Sequence, residues 1–291
     1  MNECLSLPRG SEIVYEKIIE TIVELIRKDE GFFDYASYPL KDYQTGAKII
    51  LKNQEAIISG VEIVSGVLKT FGIESEFKYK DGEITKKGDI AKLFGNAYNI
   101  LICERTILNV LSFMSSVATK TRRIVENARK VNQKVKIAAT RKTIPFAGEL
   151  QKIAIMHGGG DTHRLNLSDC AMIKDNHLLL YGSVTEAFQK VREYLSFSKK
   201  IEVEVETEEQ AFEAAQVGVD IIMLDNFDPQ KACALARKLK EKYPQIIIEF
   251  SGGVNPNMIE NYVCEYIDVI SIGKLTTEIS YIDYSLEISD V

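Results

Sequence analysis

Long apolar runs are missing from this chain. No stretch approaches the roughly 18 uninterrupted apolar residues of a membrane-spanning helix, and the N-terminal M-N-E-C-L-S-L-P-R-G lacks the apolar core of a signal peptide. Both absences argue against a membrane and for the cytoplasm. A surplus of positive charge is missing too: the formal net charge is -6, whereas holding a phosphate backbone demands a basic surface, so nucleic acid is not an expected partner. The five cysteines, Cys4, Cys103, Cys170, Cys233 and Cys264, form no C-x-x-C pair, are odd in number and lie far apart. They are expected as buried reduced thiols rather than as metal ligands or a disulfide. No repeat, low-complexity tract or flexible linker separates the two modest domains that 291 residues allow, so they are expected to meet through a tight interface.

Histidine is scarce, and its placement is informative. All three, His157, His163 and His177, fall between Thr140 and His177, together with Arg141, Lys142, Arg164 and Lys174. Guanidinium groups grip carboxylate or phosphate in bidentate fashion and lysine adds a point charge, so a basic pocket in an acidic protein points to a polyanionic small molecule. The triple glycine Gly158-Gly159-Gly160 directly before D-T-H-R can bring backbone close to a ligand while aiming His163 and Arg164 inward. His157 and His177 are read as structural, capping or orienting their neighbours.

From about Val135 the chain repeats one unit, a short β-branched run ending in a polar residue and then a helix. The strands are V-K-I-A-A-T-R-K, A-M-I-K-D-N, I-E-V-E-V-E, V-D-I-I-M-L-D-N, I-I-I-E-F-S-G-G and D-V-I-S-I-G. Ser183 and the Thr207/Gln210 capping box open two of the helices, while Asp228-Pro229 and Asn255-Pro256 set a cap residue before proline at the first helical position. Such alternation means parallel strands, closing into a (β/α) barrel or spreading as an open doubly wound sheet. The first hundred residues read instead as an α+β unit: short strands in A-K-I-I-L-K-N, E-A-I-I-S-G, I-E-S-E-F-K-Y-K-D-G-E and K-L-F-G-N-A, a helix from Val61, and a hairpin turn at Lys80-Asp81-Gly82. Two helical stretches, about 100–114 and 119–131, follow.

Strict alternation in I-E-V-E-V-E puts Ile201, Val203 and Val205 on one face and Glu202, Glu204 and Glu206 on the other. With helices on the apolar face, the carboxylates point into the barrel or its mouth, where Glu204 and Asp225 become neighbours at the C-terminal rim. Paired carboxylates there can hold ribose hydroxyls, share Mg2+ or stabilise an oxocarbenium ion. F-S-G-G-V-N-P, with Ser251, Gly252 and Gly253, reads as a phosphate loop in which glycine backbone and a helix dipole meet an anion, and Ser271 and Gly273 end the next strand.

Taken together these residues resemble quinolinate phosphoribosyltransferase, over nearly the whole chain. The likeness is carried by E-R-T-I-L-N from Glu104 with S-x-x-A-T-x-T after it, T-R-K-T-x-P, G-G-G-x-x-H-R, S-D-x-x-x-I-K-D-N-H, E-V-E, L-D-N, S-G-G and S-x-G-x-L-T. The resemblance implies an N-terminal α/β sandwich domain over residues 1–115, an open α/β barrel over 116–276, and a tail over 277–291 that packs back on the first domain. It also implies a homodimer or higher homo-oligomer with a shared active site, and transfer of phosphoribosyl from phosphoribosyl pyrophosphate to quinolinate with Mg2+ and loss of carbon dioxide. Arg141, His163, Arg164 and Lys174 would bind the quinolinate carboxylates, with Arg105 reaching in from a neighbouring subunit. Lys142 would lie between quinolinate and pyrophosphate, Glu204 and Asp225 would handle Mg2+ and the ribose, and Ser251, Gly252, Gly253, Ser271 and Gly273 would hold the 5'-phosphate.

Three departures from the family pattern stand out. Phe146-Ala147-Gly148 replaces G-L-R after T-R-K-T-x-P, G-F-F-D-Y-A-S-Y replaces an acidic G-D-x-T-T segment, and Thr277 replaces a histidine. Other readings are a molybdenum-transport-associated relative that shares T-R-K-T and G-G-G-x-x-H-R, a Schiff-base aldolase using Lys174, and a catalytically silent ligand-binding homologue.

Overall fold

A computed structural model describes residues 11–289. In chain order the elements are α1 (Ser11–Glu30), β1 (Gln44–Ile57), α2 (Val61–Thr70), β2 (Glu74–Phe77), β3 (Ile84–Asn96), α3 (Ala97–Val131), β4 (Lys136–Ala138) and α4 (Gly148–His157). There follow β5 (Ala171–Ile173), α5 (Asp175–Tyr181), α6 (Val184–Tyr194), β6 (Ile201–Val205), α7 (Glu208–Val217), β7 (Ile221–Asp225), α8 (Pro229–Lys242), β8 (Ile247–Ser251), β9 (Val269–Ser271), α9 (Lys274–Thr277) and β10 (Tyr284–Ser289). Three-residue and seven-residue 3-10 helices sit at Tyr38–Leu40 and Pro256–Tyr262. Cys4 and the N-terminal decapeptide read above lie outside the described residues.

Two compact units divide the chain. The first holds the described residues up to 120 with 156–158 and 279–289, and its antiparallel sheet runs β10-β1-β3-β2. Where the sequence suggested two short strands, one strand of 14 residues forms, and its register against β3 slips between Leu51 and Glu55. The polar Lys52-Asn53-Gln54 sits at that irregularity, which accounts for the apparent break. α2 buries Ile63, Val64, Val67 and Leu68, a helical stripe whose side chains each contribute about 1.5–3 kcal/mol by leaving water. Asp81, read as a turn residue, also caps this helix: its carboxylate accepts from the N–H groups of Gly60 (2.6 Å), Val61 (2.9 Å) and Glu62 (3.1 Å). His157 lies in the same unit, its Nδ1 2.8 Å from Ser59 Oγ.

The two helical stretches expected near 100–114 and 119–131 are one helix of 35 residues, α3. Ser-Ser-Val-Ala-Thr looked like an interruption, but its hydroxyls are absorbed by the fold. Ser115 Oγ accepts from Ser59 N–H and from Tyr284 Oη, both at 3.0 Å, and Ser116 Oγ donates to the Ser112 carbonyl and accepts from Ile282 N–H. By length and composition α3 could cross a bilayer, and 61% of its most apolar window is buried inside the protein. Those apolar residues, among them Ile100, Cys103, Ile107, Leu111 and Met114, are core.

In the second unit, residues 121–155 and 159–278, six parallel strands stand in the order β4-β9-β8-β7-β6-β5, one from each of the six runs read in the sequence. An isolated parallel bridge from Ala138 to Asp161 extends the β4 edge. The caps form as written: Ser183 accepts from Glu186 N–H, Thr207 from Gln210 N–H, and Asp228 from Gln230 and Lys231 N–H. Asn255-Pro256 opens a 3-10 helix rather than an α-helix. The cysteine expectation is corrected for one pair. Cys233, on α8, and Cys264, just after the 3-10 helix, have Cα atoms 6.3 Å apart and form a disulfide. Wide sequence spacing says nothing of distance once a strand-helix unit folds back on itself, and 6.3 Å lies within the disulfide range. Cys103 and Cys170 are free thiols, the first buried and the second half-buried.

Candidate active site

Parallel register decides which side chains meet. Glu204 pairs with Met223, Met223 with Glu249, and Asp225 with Ser251, so Glu202, Glu204, Asp225, Glu249 and Ser251 share one face of the sheet. The other face of β6, Ile201, Val203 and Val205, is wholly buried. The alternation read in I-E-V-E-V-E therefore does separate core from site, and the strand ends present the polar set.

At the C-terminal ends of β5 and β6 the Lys174 ammonium is ion-paired to Glu204. His177 orients this corner, its Nδ1 accepting from Lys174 N–H at 3.0 Å. Asp225 is pushed up from its ordinary carboxylate value by burial and by the negative charge of Glu204, with Lys174 and Lys142 opposing. Asn226 beside it adopts left-handed backbone (φ 58), and its amide donates to Asp225 Oδ2 at 2.6 Å. Such a conformation costs a non-glycine residue about 1–2 kcal/mol, which fixed surroundings must offset.

The phosphate-loop candidates cluster at the same strand ends. Gly252 and Gly253 both have positive φ, 86 and 59. A Cβ on Gly252 would lie 2.6 Å from the backbone N of Asn226, so glycine is required there by space as well as by angle. The helix dipole expected behind this loop is not supplied by an α-helix, since Pro256–Tyr262 is a short 3-10 segment; backbone N–H groups of the turn are what remain for an anion. Ser271, at the end of β9, is buried with its hydroxyl unpartnered.

The Gly158–Gly160 turn leads into Asp161 and then His163, another left-handed residue (φ 53). A Cβ on Gly160 would meet Thr121 at 2.8 Å and Ile155 at 2.9 Å, so this glycine is needed for close packing. His163 does not face open solvent. Its Nε2 lies 3.1 Å from Glu249 and 3.6 Å from Glu202, and its Nδ1 lies 2.7 Å from the Arg164 backbone N. Burial disfavours a charged ring, yet Glu202 and Glu249 outweigh it and push His163 up to about 10. Burial likewise raises Glu202, whose two oxygens have no hydrogen-bond partner. One nitrogen and two carboxylates are a metal-ligand set in kind, but Glu202 and Glu249 hold the ring protonated, and the proton on Nε2 occupies the atom a metal would need.

Arg164 is held by the strand next to it, its guanidinium donating to the Cys170 carbonyl and to Met172 sulfur, both at 3.3 Å. Arg141 and Lys142 are exposed on the loop after β4. Lys152, from α4, was not singled out in the sequence. It is buried, donates to the Thr162 carbonyl, and is lowered to about 8 by burial and by the charges of Arg141 and Arg164, against Asp161. Glu249 was missed as well. A lone acid inside the apolar run I-I-I-E-F was the available signal, as was a lysine inside L-Q-K-I-A-I. Arg105 stands apart from this set by unit, exposed on the part of α3 that belongs to the first unit.

Comparison with known proteins gives this arrangement a family. Residues 117–287 match the quinolinate phosphoribosyl transferase C-terminal domain and residues 34–115 the N-terminal domain. The chain is 41% identical over 276 residues to "Probable nicotinate-nucleotide pyrophosphorylase [carboxylating]" of Methanothermobacter thermautotrophicus, covering 93% of this chain and 99% of that one. It is 36% identical over 288 residues to nicotinate-nucleotide pyrophosphorylase [carboxylating] of Dictyostelium discoideum, covering 94% and 96%. Among solved structures it is similar to NadC from Streptococcus pyogenes, with TM-score 0.89, 32% identity and coverage of 95% and 98%. The nicotinate-nucleotide pyrophosphorylase from Francisella tularensis superposes with TM-score 0.89, 29% identity and coverage of 99% and 100%. With both family domains matched in order and relatives aligned along almost their full length, this chain belongs to the quinolinate phosphoribosyl transferase family.

Proposed function

We propose that the protein transfers phosphoribosyl from phosphoribosyl pyrophosphate to quinolinate, releasing pyrophosphate and carbon dioxide and forming nicotinate mononucleotide. The observation that carries this reading is the apposition of two opposite charge sets at one end of the parallel sheet. A cationic group from β4, β5 and the Asp161 edge stands beside carboxylates at the ends of β6 and β7. Arg141, Arg164 and Lys174 suit the two carboxylates of quinolinate, with His163 behind Arg164. Glu204 and Asp225 suit the ribose hydroxyls and the positive charge that develops at the anomeric carbon.

The ring nitrogen of quinolinate attacks the anomeric carbon as the bond to pyrophosphate breaks, with Lys142 meeting the leaving group. Ribosylation leaves that nitrogen positive. The bond from C2 to its carboxylate then breaks, carbon dioxide departs, the electron pair passes into the ring, and a proton takes the vacated position. Holding both substrates in line accounts for much of the acceleration. Ser251, Gly252, Gly253, Ser271 and Gly273 receive the 5'-phosphate, a role that the unpartnered Ser271 hydroxyl supports. Glu204 and Asp225 also fit Mg2+: both are oxygen donors, and Asp225 is already raised by its carboxylate neighbour, a repulsion a cation relieves. Bound there, Mg2+ would neutralise pyrophosphate charge.

A homodimer with a shared site belongs to the same proposal, and the exposure of Arg105 supports it, since a residue serving a neighbour's site must reach out. Both substrates are polyanions that do not cross a bilayer unaided, which suits a cytoplasmic enzyme. The test is a coupled assay with quinolinate, phosphoribosyl pyrophosphate and Mg2+, with nicotinate in a parallel reaction. Nicotinate mononucleotide and carbon dioxide from quinolinate alone is the expected result, and product from neither acid would reject the assignment.

A further inference from the structure

Gln151, on α4, is completely buried, and both ends of its amide are engaged. Its Oε1 accepts from Ile144 N–H at 2.9 Å, and its Nε2 donates to the Thr276 carbonyl at 2.7 Å. The first partner lies in the loop that carries Arg141 and Lys142. The second lies in α9, directly after Ser271 and Gly273 at the end of β9. Thr276 closes the circuit from its side, its hydroxyl donating at 2.6 Å to the Lys142 carbonyl and lying 3.0 Å from the Gly273 carbonyl. At the same junction a Cβ on Gly273 would sit 3.2 Å from Lys142 Cδ. Residues 125 and 134 positions apart are thus joined by two hydrogen bonds, and the Gln151 amide and Thr276 hydroxyl are shut away from water.

A buried amide with both ends used fixes the distance between its partners, because moving either strands a desolvated polar group. We propose that Gln151 and Thr276 are positioning residues, a buried clamp that makes the Arg141-Lys142 loop and the Ser271-Gly273 loop move as one unit. The proposal rests on the functional reading above, in which the first loop meets quinolinate and pyrophosphate and the second meets the 5'-phosphate. Its consequence is that the two substrates are held in register by side chains that touch neither. Filling the phosphate loop orders Lys142, and loosening the clamp weakens both substrates together.

Gln151→Leu in the full chain keeps the volume and removes both bonds. The expected result is a rise of about fivefold or more in KM for quinolinate and for phosphoribosyl pyrophosphate alike, with a smaller change in kcat. A merely stabilising role would lower the melting temperature and leave both KM values in place. Thr276→Val should act in the same direction, while Thr276→Ser, which keeps the hydroxyl, should restore both constants to within about twofold. This pair decides the question if Gln151→Leu does not fold. Inorganic phosphate provides an arm that needs no turnover: it should shift the Ile144 amide resonance in the wild type and leave it unmoved in Gln151→Leu. Wild-type constants in folded Gln151→Leu and Thr276→Val, or an Ile144 resonance that ignores phosphate in the wild type, would overturn the clamp. Absence of turnover with quinolinate, alongside a phosphate-responsive Ile144, would overturn only the functional reading.

Discussion

Replacing Gly252 by alanine tests the site where its geometry is tightest. The residue has φ 86, and an added Cβ would approach the Asn226 backbone N to 2.6 Å and its Cγ to 2.7 Å. Left-handed backbone alone costs a non-glycine residue about 1–2 kcal/mol. Contacts to carbon normally settle near 3.5 Å or beyond, so Asn226 must retreat by about an ångström or the loop must open. Asn226 cannot retreat freely: its N–H donates to the Ser251 carbonyl at 3.0 Å and its side chain holds Asp225. Displacement therefore passes to Asp225 on one side and to the phosphate loop on the other. An error of about 1 Å in a positioning group can lower a rate about a hundredfold, so kcat/KM for phosphoribosyl pyrophosphate should fall by about 10–100-fold. The melting temperature should fall by about 2–8 °C. Gly218→Ala separates the two effects. It has φ 85 at the end of α7 with nothing within 4 Å of its added Cβ, so it bears the backbone cost without the collision. Steady-state kinetics and thermal unfolding of both variants make the measurement. Gly252→Ala with wild-type kcat/KM, or Gly218→Ala with an equal kinetic loss, would refute the reasoning.

Arg164→Ala should raise the quinolinate KM and lower kcat/KM by about tenfold or more, since a bidentate charged contact is lost; an unchanged kcat/KM removes Arg164 from the site. His163 is raised from 6.5 to about 10, so its pairing with Glu202 and Glu249 stabilises the fold fully below about pH 6.5 and is lost as pH climbs through about 10. Glu249→Gln should accordingly melt below the wild type at pH 6 and approach it at pH 10, and a gap that widens with pH would show the sign to be wrong. Thiol labelling of the denatured, unreduced protein should leave Cys233 and Cys264 unmodified while Cys103 and Cys170 react, and labelling of Cys233 and Cys264 would rule the disulfide out. Closing a loop across a separation of 31 residues is worth about 3–4 kcal/mol in chain entropy, so reductant should lower the melting temperature.

Much of the second unit was legible because its signals are local. Each of the six strands is a β-branched run bounded by a cap or glycine, and Ser183, Thr207 and Asp228 cap the helices they precede, because capping is settled within four residues. The errors arose where a local signal was overridden from afar. Ser115 and Ser116 look like a helix break until Ser59, Tyr284 and Ile282 supply partners, and Asp81 looks like a turn until Gly60 and Val61 present unpaired N–H groups to it. The disulfide was unreadable for the same reason, since 31 residues of chain leave the distance between two sulfurs open.

For the candidate site the division follows residue type. Composition and order alone mark a polyanion-binding chain, because arginines, lysines and histidines concentrated in one stretch of an acidic protein have few other uses, and strict alternation in β6 marks Glu202 and Glu204 as facing away from the helices. What tertiary structure alone decided is which of those groups are used up within the protein. Parallel register brings Glu249 and Glu202 under His163, turns Nδ1 of that ring toward Arg164, and buries Lys152 and Gln151 beneath the loops they hold. Sequence determines what each side chain can bond, but only packing fixes which partner is within 3 Å, and for a buried polar group that distance separates a contact with substrate from a contact with the fold.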